Sequence, residues 1–417
     1  MGSRSLTRIT ASRNSTDGLW DVVSPAWRAL TGAALLDFAV SPLFLWDAFS
    51  GVLSSELQVS SPSSSLAYAV GLAAFTAGVL VGGRLADAVA PRRLALVVGG
   101  GVVLGLAATA SAESLPVLVL GFGVVLGGAT GLGYATAVRV AGTAATKRGS
   151  AVAVVVSAYA AGAVVLAPVV DVLLGVVGRA GMFAVLAVLL GGLVVCASAL
   201  LPDTVASARS LSAEPAPAEA SSTEPAATGL AALRPYSRPI LASWTMFWLG
   251  SAPALVAFGH AGDFARTPES AIAAVVLLNA GNFLGRLAAG PVADRIGHVP
   301  ALHATAAALV GACLTLVLVA RPAGALAALL VLGAQYGAVS VLTPMAVADT
   351  VPADRFGTAY GAVFSGWGVV GLAGPVGAAW MATATGYPAV AGVLAGVAAL
   401  FWAAVVWVSS TRSATGR

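Results

Sequence analysis

The segment from Leu277 to His298, LLNAGNFLGRLAAGPVADRIGH, decides the fold class and raises the main question about function. It is apolar and long enough to cross a bilayer, whose hydrocarbon core needs about 20 helical residues. Arg286 lies within it, eight residues before Asp294 and so about 12 Å from the charged end of the helix. An arginine at such depth costs about 2.5 kcal/mol or more unless something pairs with it. The segment therefore predicts a membrane helix with a functional cation.

The rest of the chain has the same membrane character. Of its 417 residues, 59% are hydrophobic and only 9% are charged, whereas soluble chains carry roughly 25% charged residues. Apolar runs long enough to cross a membrane recur along its whole length. Twelve helical spans are predicted, at 28–53, 65–87, 93–110, 115–138, 150–174, 180–201, 239–260, 270–293, 299–320, 323–347, 357–381 and 387–409.

The polar segments divide these spans into two sets of six. Residues 202–238 are rich in Pro, Ala, Ser and Glu and are predicted to form a flexible cytoplasmic linker. Residues 1–27 are predicted to be a cytoplasmic tail, and the first 25 lack the apolar region of a signal peptide. The expected domains are a bundle over 28–201 and a bundle over 239–409, followed by a tail at 410–417.

The basic residues predict the orientation. With a cytoplasmic N-terminus, eighteen of the twenty-one Lys and Arg residues fall on the inner side, and only Arg179, Arg266 and Arg321 fall on the outer side. The positive-inside rule therefore places both termini in the cytoplasm of a multi-pass cell-membrane protein. The same asymmetry accounts for the net charge of +4 without a nucleic-acid partner. Cys196 and Cys313 lie inside apolar spans, which indicates neither a disulfide framework nor a metal site.

The two halves repeat one another. Asp87, in the pattern Gly-x-x-Ala-Asp, and Asp294, in the same pattern, are 207 residues apart. Arg148 and Arg355, which open the fifth span of each half, have the same spacing, as do Pro168 and Pro375. Two parallel six-helix repeats with a site between them are typical of transporters. Position 79, the counterpart of Arg286, is Val79, so the repeat itself does not require a cation there.

These motifs resemble those of the major facilitator superfamily. The loop signature of that family is similar to Gly83-Arg84-Leu85-Ala86-Asp87 followed by Arg92-Arg93, with a weaker copy at Gly290–Arg295. The resemblance implies an all-α membrane fold of twelve helices in two pseudo-symmetric six-helix bundles. Asn279–Arg286, the stretch Gly131-Leu-Gly-Tyr134 and the stretch from Gly357 to Pro375 are also similar to the oxalate/formate antiporter and monocarboxylate transporter branch.

One departure from that branch narrows the expected substrate. Members that handle a dicarboxylate place a lysine where this chain has Trp367. One intramembrane cation in place of two favours a substrate with a single carboxylate.

The candidate substrate site is built around Arg286. Its guanidinium can bind a carboxylate through two parallel hydrogen bonds; a structural ion pair or a stabiliser of the inner gate is the alternative. The further candidate substrate-binding residues are Tyr134, Tyr159, Asn282 and Trp367. Other aromatic residues of the spans are candidates for lining the cavity, namely Trp46, Tyr68, Trp248 and Tyr336.

Two residues are candidates for proton coupling. Asp37 is either a buried proton carrier or counter-charge to Arg286, or else an interfacial residue if the first helix begins later. His260 is the second candidate because an imidazole can gain or lose a proton in the physiological range, but as a helix-end residue it is also compatible with simple solvation. Asp171, near the outer end of the fifth span, is expected to pair with Arg179.

The repeated signatures are predicted to form gates. Charged residues at the inner surface are expected to cluster and to hold the inward gate closed, namely Asp87, Arg92, Arg93, Arg148, Asp294 and Arg355.

The sequence contains no phosphate loop, nucleophile elbow or metal-spaced His/Cys cluster, which argues against an enzyme and against a cofactor. The expected function is secondary transport of a small organic monocarboxylate such as lactate, pyruvate or formate, by a monomer, as proton symport or as exchange for another anion. Drug-type efflux and a transport-inactive scaffold or sensor are the alternatives. A wide apolar cavity favours efflux, but a buried arginine does not.

Overall fold

Every regular element in the described part of the chain is helical. The computed structural model describes residues 24–144, 148–204, 207, 229–351 and 356–415, without the side chains of 84, 86–88, 143–150, 229–232, 356–357 and 412–415. Twelve membrane helices follow one another in these ranges: α1 Pro25–Glu56, α2 Ser61–Ala88, α3 Pro91–Ala110, α4 115–144, α5 148–177, α6 179–200, α7 Ser237–Phe264, α8 Ala271–Ile296, α9 His298–Leu318, α10 Pro322–Ala348, α11 Phe356–Thr385 and α12 Tyr387–Thr415.

The boundary between α5 and α6 is a single residue. The apolar stretch Ala151–Leu200 is helical throughout except at Gly178, where φ is 66° and ψ is −177°. Glycine adopts a positive φ at little cost because it has no Cβ. The stretch therefore turns sharply and makes two membrane crossings, and the twelve predicted helices are confirmed.

Two helices are less regular than the sequence predicted. In α1, Pro42 lies in a 3-10 segment, Ser41–Leu45, between two α-helical parts, Pro25–Ala39 and Trp46–Glu56. In α4, the segment Val119–Leu126 is a π-helix. The wider turns of a π-helix are uncommon, and they change the direction of the side chains that follow.

The internal repeat is visible in the structure, because the second and fourth helices of each half pack against each other. In one half, α2 packs closely against α4, so that a Cβ at Gly131 would collide with the carbonyl oxygen of Phe75. In the other half, α8 packs against α10, and a Cβ at Gly281 would collide with the carbonyl oxygen of Leu330. Small residues let two helix backbones approach this closely in a membrane.

The bundles α1–α6 and α7–α12 meet along two helix pairs, α5 with α8 and α2 with α11. On the second pair, Gly368 packs against Thr76 and Gly371 against Leu72. The central site lies between these pairs.

The expected pairing of Arg179 with Asp171 is wrong. Arg179 instead makes an ion pair with Glu56 at the end of α1. It also donates hydrogen bonds to the carbonyl oxygens of Thr109 and Ala110 at the end of α3, at 2.9 and 3.2 Å. Asp171 is exposed. Arg179 therefore ties together three helix ends on the predicted outer side.

The glycine contacts can be tested by adding one methyl group. Gly281→Ala should destabilise the protein by about 1–3 kcal/mol, because the new Cβ meets a backbone atom that cannot move aside. Thermal unfolding of the purified protein in detergent measures the effect. The matched control is Gly311→Ala, where a Cβ meets no atom within 4 Å and should leave the midpoint unchanged or slightly higher. Equal midpoints for the two variants would contradict the close packing of α8 on α10.

Candidate functional site

Arg286 lies buried at the interface of the two bundles. It is 4% exposed, on the face of α8 that packs against α5. Its Nε donates a hydrogen bond to Oδ1 of Asn282, one helical turn earlier, at 3.0 Å. One terminal nitrogen donates to the backbone oxygen of Val156 in α5, also at 3.0 Å. The guanidinium is thus held from its own helix and from the opposite bundle, and both acceptors are neutral.

A small cavity of about 20 Å³ lies beside Arg286, with room for about one water molecule. Arg286 is the charged side chain in its wall, and most of the other lining residues are aromatic. Both bundles contribute to the wall, which consists of Phe44, Phe75, Tyr134, Tyr159, Phe247, Arg286, Tyr336, Ser340, Tyr360, Phe364 and Trp367.

Two tyrosine hydroxyls flank the guanidinium. Tyr134 of α4 and Tyr336 of α10 both make polar contacts with Arg286, one from each bundle. Trp367 of α11 donates a hydrogen bond from its indole Nε1 to the Tyr336 hydroxyl at 2.8 Å. Trp367 lines the cavity, but in this structure its one polar atom is bonded to Tyr336.

Two other candidates take different positions. Tyr159 lines the cavity, where its ring meets Phe44 edge to face at 5.0 Å and its hydroxyl has no hydrogen-bond partner. Asn282 does not line the cavity. It is fully buried behind Arg286, and its Nδ2 is left without a partner.

Asp37 is deeply buried. It belongs to the first α-helical part of α1, is 0% exposed, and neither of its carboxylate oxygens has a hydrogen-bond partner of normal geometry, although the backbone of Tyr159 interacts with it. The interfacial alternative for this residue is therefore wrong. Asp37 interacts electrostatically with Arg286, although the two side chains do not form an ion pair. An unpaired acidic side chain lies near the buried guanidinium.

His260 is buried as well, with 3% exposure, so the solvated helix end is wrong. The backbone of α7 breaks at this residue, with φ −147° and ψ 31°. Nε2 lies 3.0 Å from the backbone oxygen of Pro375. Nδ1 lies 2.9 Å from the hydroxyl of Tyr387 and 3.3 Å from a carboxylate oxygen of Asp263. His260 is far from being an isolated helix-end residue.

The predicted gate cluster falls only partly within the described residues. The side chains of Arg92, Arg93 and Asp294 are exposed. Arg355, and the side chains of Asp87 and Arg148, lie outside the described part. On that side the structure shows a contact that the sequence analysis did not predict: His298 Nδ1 lies 3.7 Å from Asp349 Oδ2.

Asp47 is the main site residue that the sequence analysis missed, whereas Tyr336 is one of the aromatic candidates for the cavity wall and does line the cavity. One feature of the sequence singles out Tyr336. Ser340 follows it by four residues, so the two hydroxyl-bearing side chains lie on the same face of the helix. Asp47 lies in α1, ten residues beyond Asp37, and accepts a hydrogen bond from the backbone of Gly262 in the opposite bundle. Among the described residues, no group of three or more His, Cys, Asp or Glu side chains is arranged to hold a metal ion.

A central cavity between two six-helix bundles that repeat one another is typical of membrane transporters. The sequence pattern of the Major Facilitator Superfamily matches residues 29–259 and 240–417. The chain therefore belongs to that superfamily, and it is a multi-pass membrane transporter rather than an enzyme.

Known proteins share the family and the fold of this chain, and these similarities do not identify its substrate. No curated protein matches the sequence significantly. The fold is similar to a crystal structure of a mutant of the nucleoside transporter NupG, with a TM-score of 0.70 over 92% of this chain and 100% of that chain. The two sequences are 13% identical, so the likeness concerns the fold alone.

The electrostatic link between Asp37 and Arg286 predicts non-additive stability. Arg286→Met leaves Asp37 as a buried acid without its nearby cation, and a buried polar group left unsatisfied costs about 1–3 kcal/mol. Adding Asp37→Asn should restore part of that loss, with a coupling of about 0.5–3 kcal/mol. Thermal unfolding of the single and double variants measures it. Asp37→Asn combined with Arg321→Met, at an exposed loop residue, is the additive control. Additivity in both pairs would contradict the link.

Proposed function

We propose that this protein is a secondary active transporter of a small organic monocarboxylate such as lactate, pyruvate or formate. Its two bundles would rock about the central cavity, with Arg286 binding the carboxylate. The observation that carries this proposal is the charge of the cavity wall, because Arg286 is its charged member and no acidic side chain lines it. We further propose that it acts as a monomer in the cell membrane with both termini in the cytoplasm.

The bonding of Arg286 supports a substrate anion. Two of its donors are occupied by Asn282 and Val156, both neutral acceptors. A guanidinium has five N–H donors and no acceptor. The Tyr134 and Tyr336 hydroxyls also face it, so a ligand would take donors that these neutral hydroxyls now face. A planar carboxylate fits two of them side by side. One cation in the wall favours one carboxylate, as the sequence departure at Trp367 also indicates.

The tyrosine hydroxyls add donors of the same kind. The Tyr336 oxygen accepts the N–H of Trp367 and faces Arg286, which can only donate. The hydrogen of the Tyr336 hydroxyl can therefore be donated to neither of these two groups. Ser340 is a further polar neighbour of this hydroxyl, and a bound carboxylate would compete with it for the hydrogen. Tyr134 faces Arg286 in the same way from the other bundle. The site would then surround an anion with donors from both bundles.

Asp37 supports coupling to protons. As a carboxylate that is fully buried and without hydrogen bonds of normal geometry, it is costly to keep charged. It would take up a proton when the substrate anion brings a second negative charge close to Arg286. In an exchange mechanism, a counter-anion would occupy the same site instead. His260 is the second candidate for proton coupling.

The volume and the lining of the cavity also bear on the size of the substrate and on the alternative substrate classes. About 20 Å³ is too small for a three-carbon acid, so the bundles must move apart before substrate enters. Nine of the eleven lining side chains are aromatic. Such walls would also suit a stacked nucleobase, and the fold neighbour is a nucleoside transporter. A nucleoside is therefore the second candidate substrate, and drug-type efflux remains the third.

Uptake into proteoliposomes tests the proposal. Labelled lactate, pyruvate, formate, a nucleoside and a lipophilic cation should give uptake of carboxylates only. Arg286→Ala should reduce it about 100-fold or more, because a buried, charge-assisted pair is lost. Arg286→Lys should restore little, since an ammonium lacks the planar fork. Arg321→Ala, an exposed arginine, is the control. Nucleoside uptake that survives Arg286→Ala would favour the second candidate and reject the first.

A second prediction concerns Trp367. Trp367→Phe keeps an aromatic ring but removes the N–H that orients Tyr336, so the KM for carboxylate should rise about 5- to 10-fold. In a Tyr336→Phe background the same change should have little further effect. The matched control is Trp244→Phe, which removes an indole hydrogen bond to Ser365 outside the cavity, at 3.1 Å. If the control raised the KM equally, the orienting role would be wrong.

A further inference from the structure

A second polar cluster joins the two bundles on the predicted outer side, away from the cavity. Asp47 of α1 accepts a hydrogen bond through Oδ2 from the backbone N–H of Gly262 in α7. One helical turn before Gly262, Gly259 packs against the ring of Tyr68 in α2 and against Pro375 in α11. The outer ends of the bundles are thus in direct contact, and Asp47 supplies a charged side chain to that contact.

The break in α7 explains why the N–H of Gly262 is offered to another helix. In a regular helix this N–H bonds to the carbonyl four residues earlier. His260 has a non-helical backbone, with φ −147° and ψ 31°, and it interrupts that pattern within the same turn. The carboxylate of Asp47 then serves as the acceptor. Because Asp47 and Gly262 belong to different bundles, this hydrogen bond holds only while the outer side is closed.

Several titratable groups face Asp47 from the surrounding helices. His260 and Asp263 interact with it from α7, and Tyr68 interacts with it from α2. Tyr387 of α12 reaches the same cluster through its hydrogen bond to His260. The side chain of Asp263 is 44% exposed, whereas that of His260 is 3% exposed. The cluster therefore runs from the predicted outer surface to Asp47.

We propose that Asp47 is a proton-sensitive latch that keeps the outer side of the transporter closed as a carboxylate and releases it when protonated. A hydrogen bond to a carboxylate is roughly twice as strong as one to a neutral acceptor. Protonation of Asp47 thus weakens the bond to Gly262 and favours separation of the outer ends. Acid on that side would open the path to Arg286 from that side. The proposal rests on the alternating movement of the two bundles, but not on the substrate's identity.

Distances between the outer ends test it without any substrate. Spin labels at Ser55→Cys and Glu269→Cys, both exposed and in different bundles, report the separation in nanodiscs, with Cys196 and Cys313 replaced by alanine. Between about pH 7.5 and about pH 4.5, a range that reaches toward the ordinary titration of a carboxylic acid, the ratio of open to closed protein should rise about 5-fold or more. Asp47→Asn, which mimics the neutral acid, should show the open-shifted distribution at both pH values.

Two further variants separate the latch from its neighbours. Asp263→Asn removes a carboxylate of the same cluster that makes no bond across the bundles, and it should keep the native pH response. His260→Gln should also keep it. A native distribution that does not change with pH would overturn the proposal. It would equally be overturned if Asp47→Asn kept the native response, or if His260→Gln abolished it while Asp47→Asn did not. Failure of carboxylate uptake would leave these distances unaffected.

Discussion

The guanidinium of Arg286 is the constraint around which the centre of this transporter is organised. It is buried in a membrane-spanning helix and bonds to Asn282 of its own helix and to Val156 of the opposite bundle. An arginine in such a place requires acceptors around it. The protein meets that requirement with neutral oxygens and two tyrosine hydroxyls, and keeps its one nearby carboxylate, Asp37, out of direct contact. The cation is therefore held in position but not neutralised, which is the condition for binding an anion.

The fold was predictable from the sequence because membrane helices have a strong local signal. Hydropathy alone gave twelve spans, and the 207-residue repeat gave the two bundles. Even the break between α5 and α6 has a local cause, since Gly178 tolerates the positive φ that the turn requires. The family followed from the loop signature around Asp87. Arg286 and Asp37 could be selected because any charge inside an apolar span is conspicuous.

The remaining site residues could not be predicted because their roles depend on contacts between distant helices. Nothing in the sequence indicates that the N–H of Trp367 meets Tyr336 or that Arg179 meets Glu56 rather than Asp171. His260 was misjudged for the same reason, since its burial comes from Pro375 and Tyr387. Asp47 was missed because it lies near the end of its span, where a charge is unremarkable. Its significance comes from Gly262 in the other bundle.

The central claim is that the charge of Arg286 recognises a single negative charge on the substrate. Calorimetric titration of the purified protein with a monocarboxylate and with its primary amide tests this directly, because the two ligands share a shape and differ in charge. Our account predicts that the acid binds and the amide does not, and that Arg286→Leu abolishes binding of the acid. Equal affinity for the acid and the amide, or binding of the acid that survives Arg286→Leu, would contradict it.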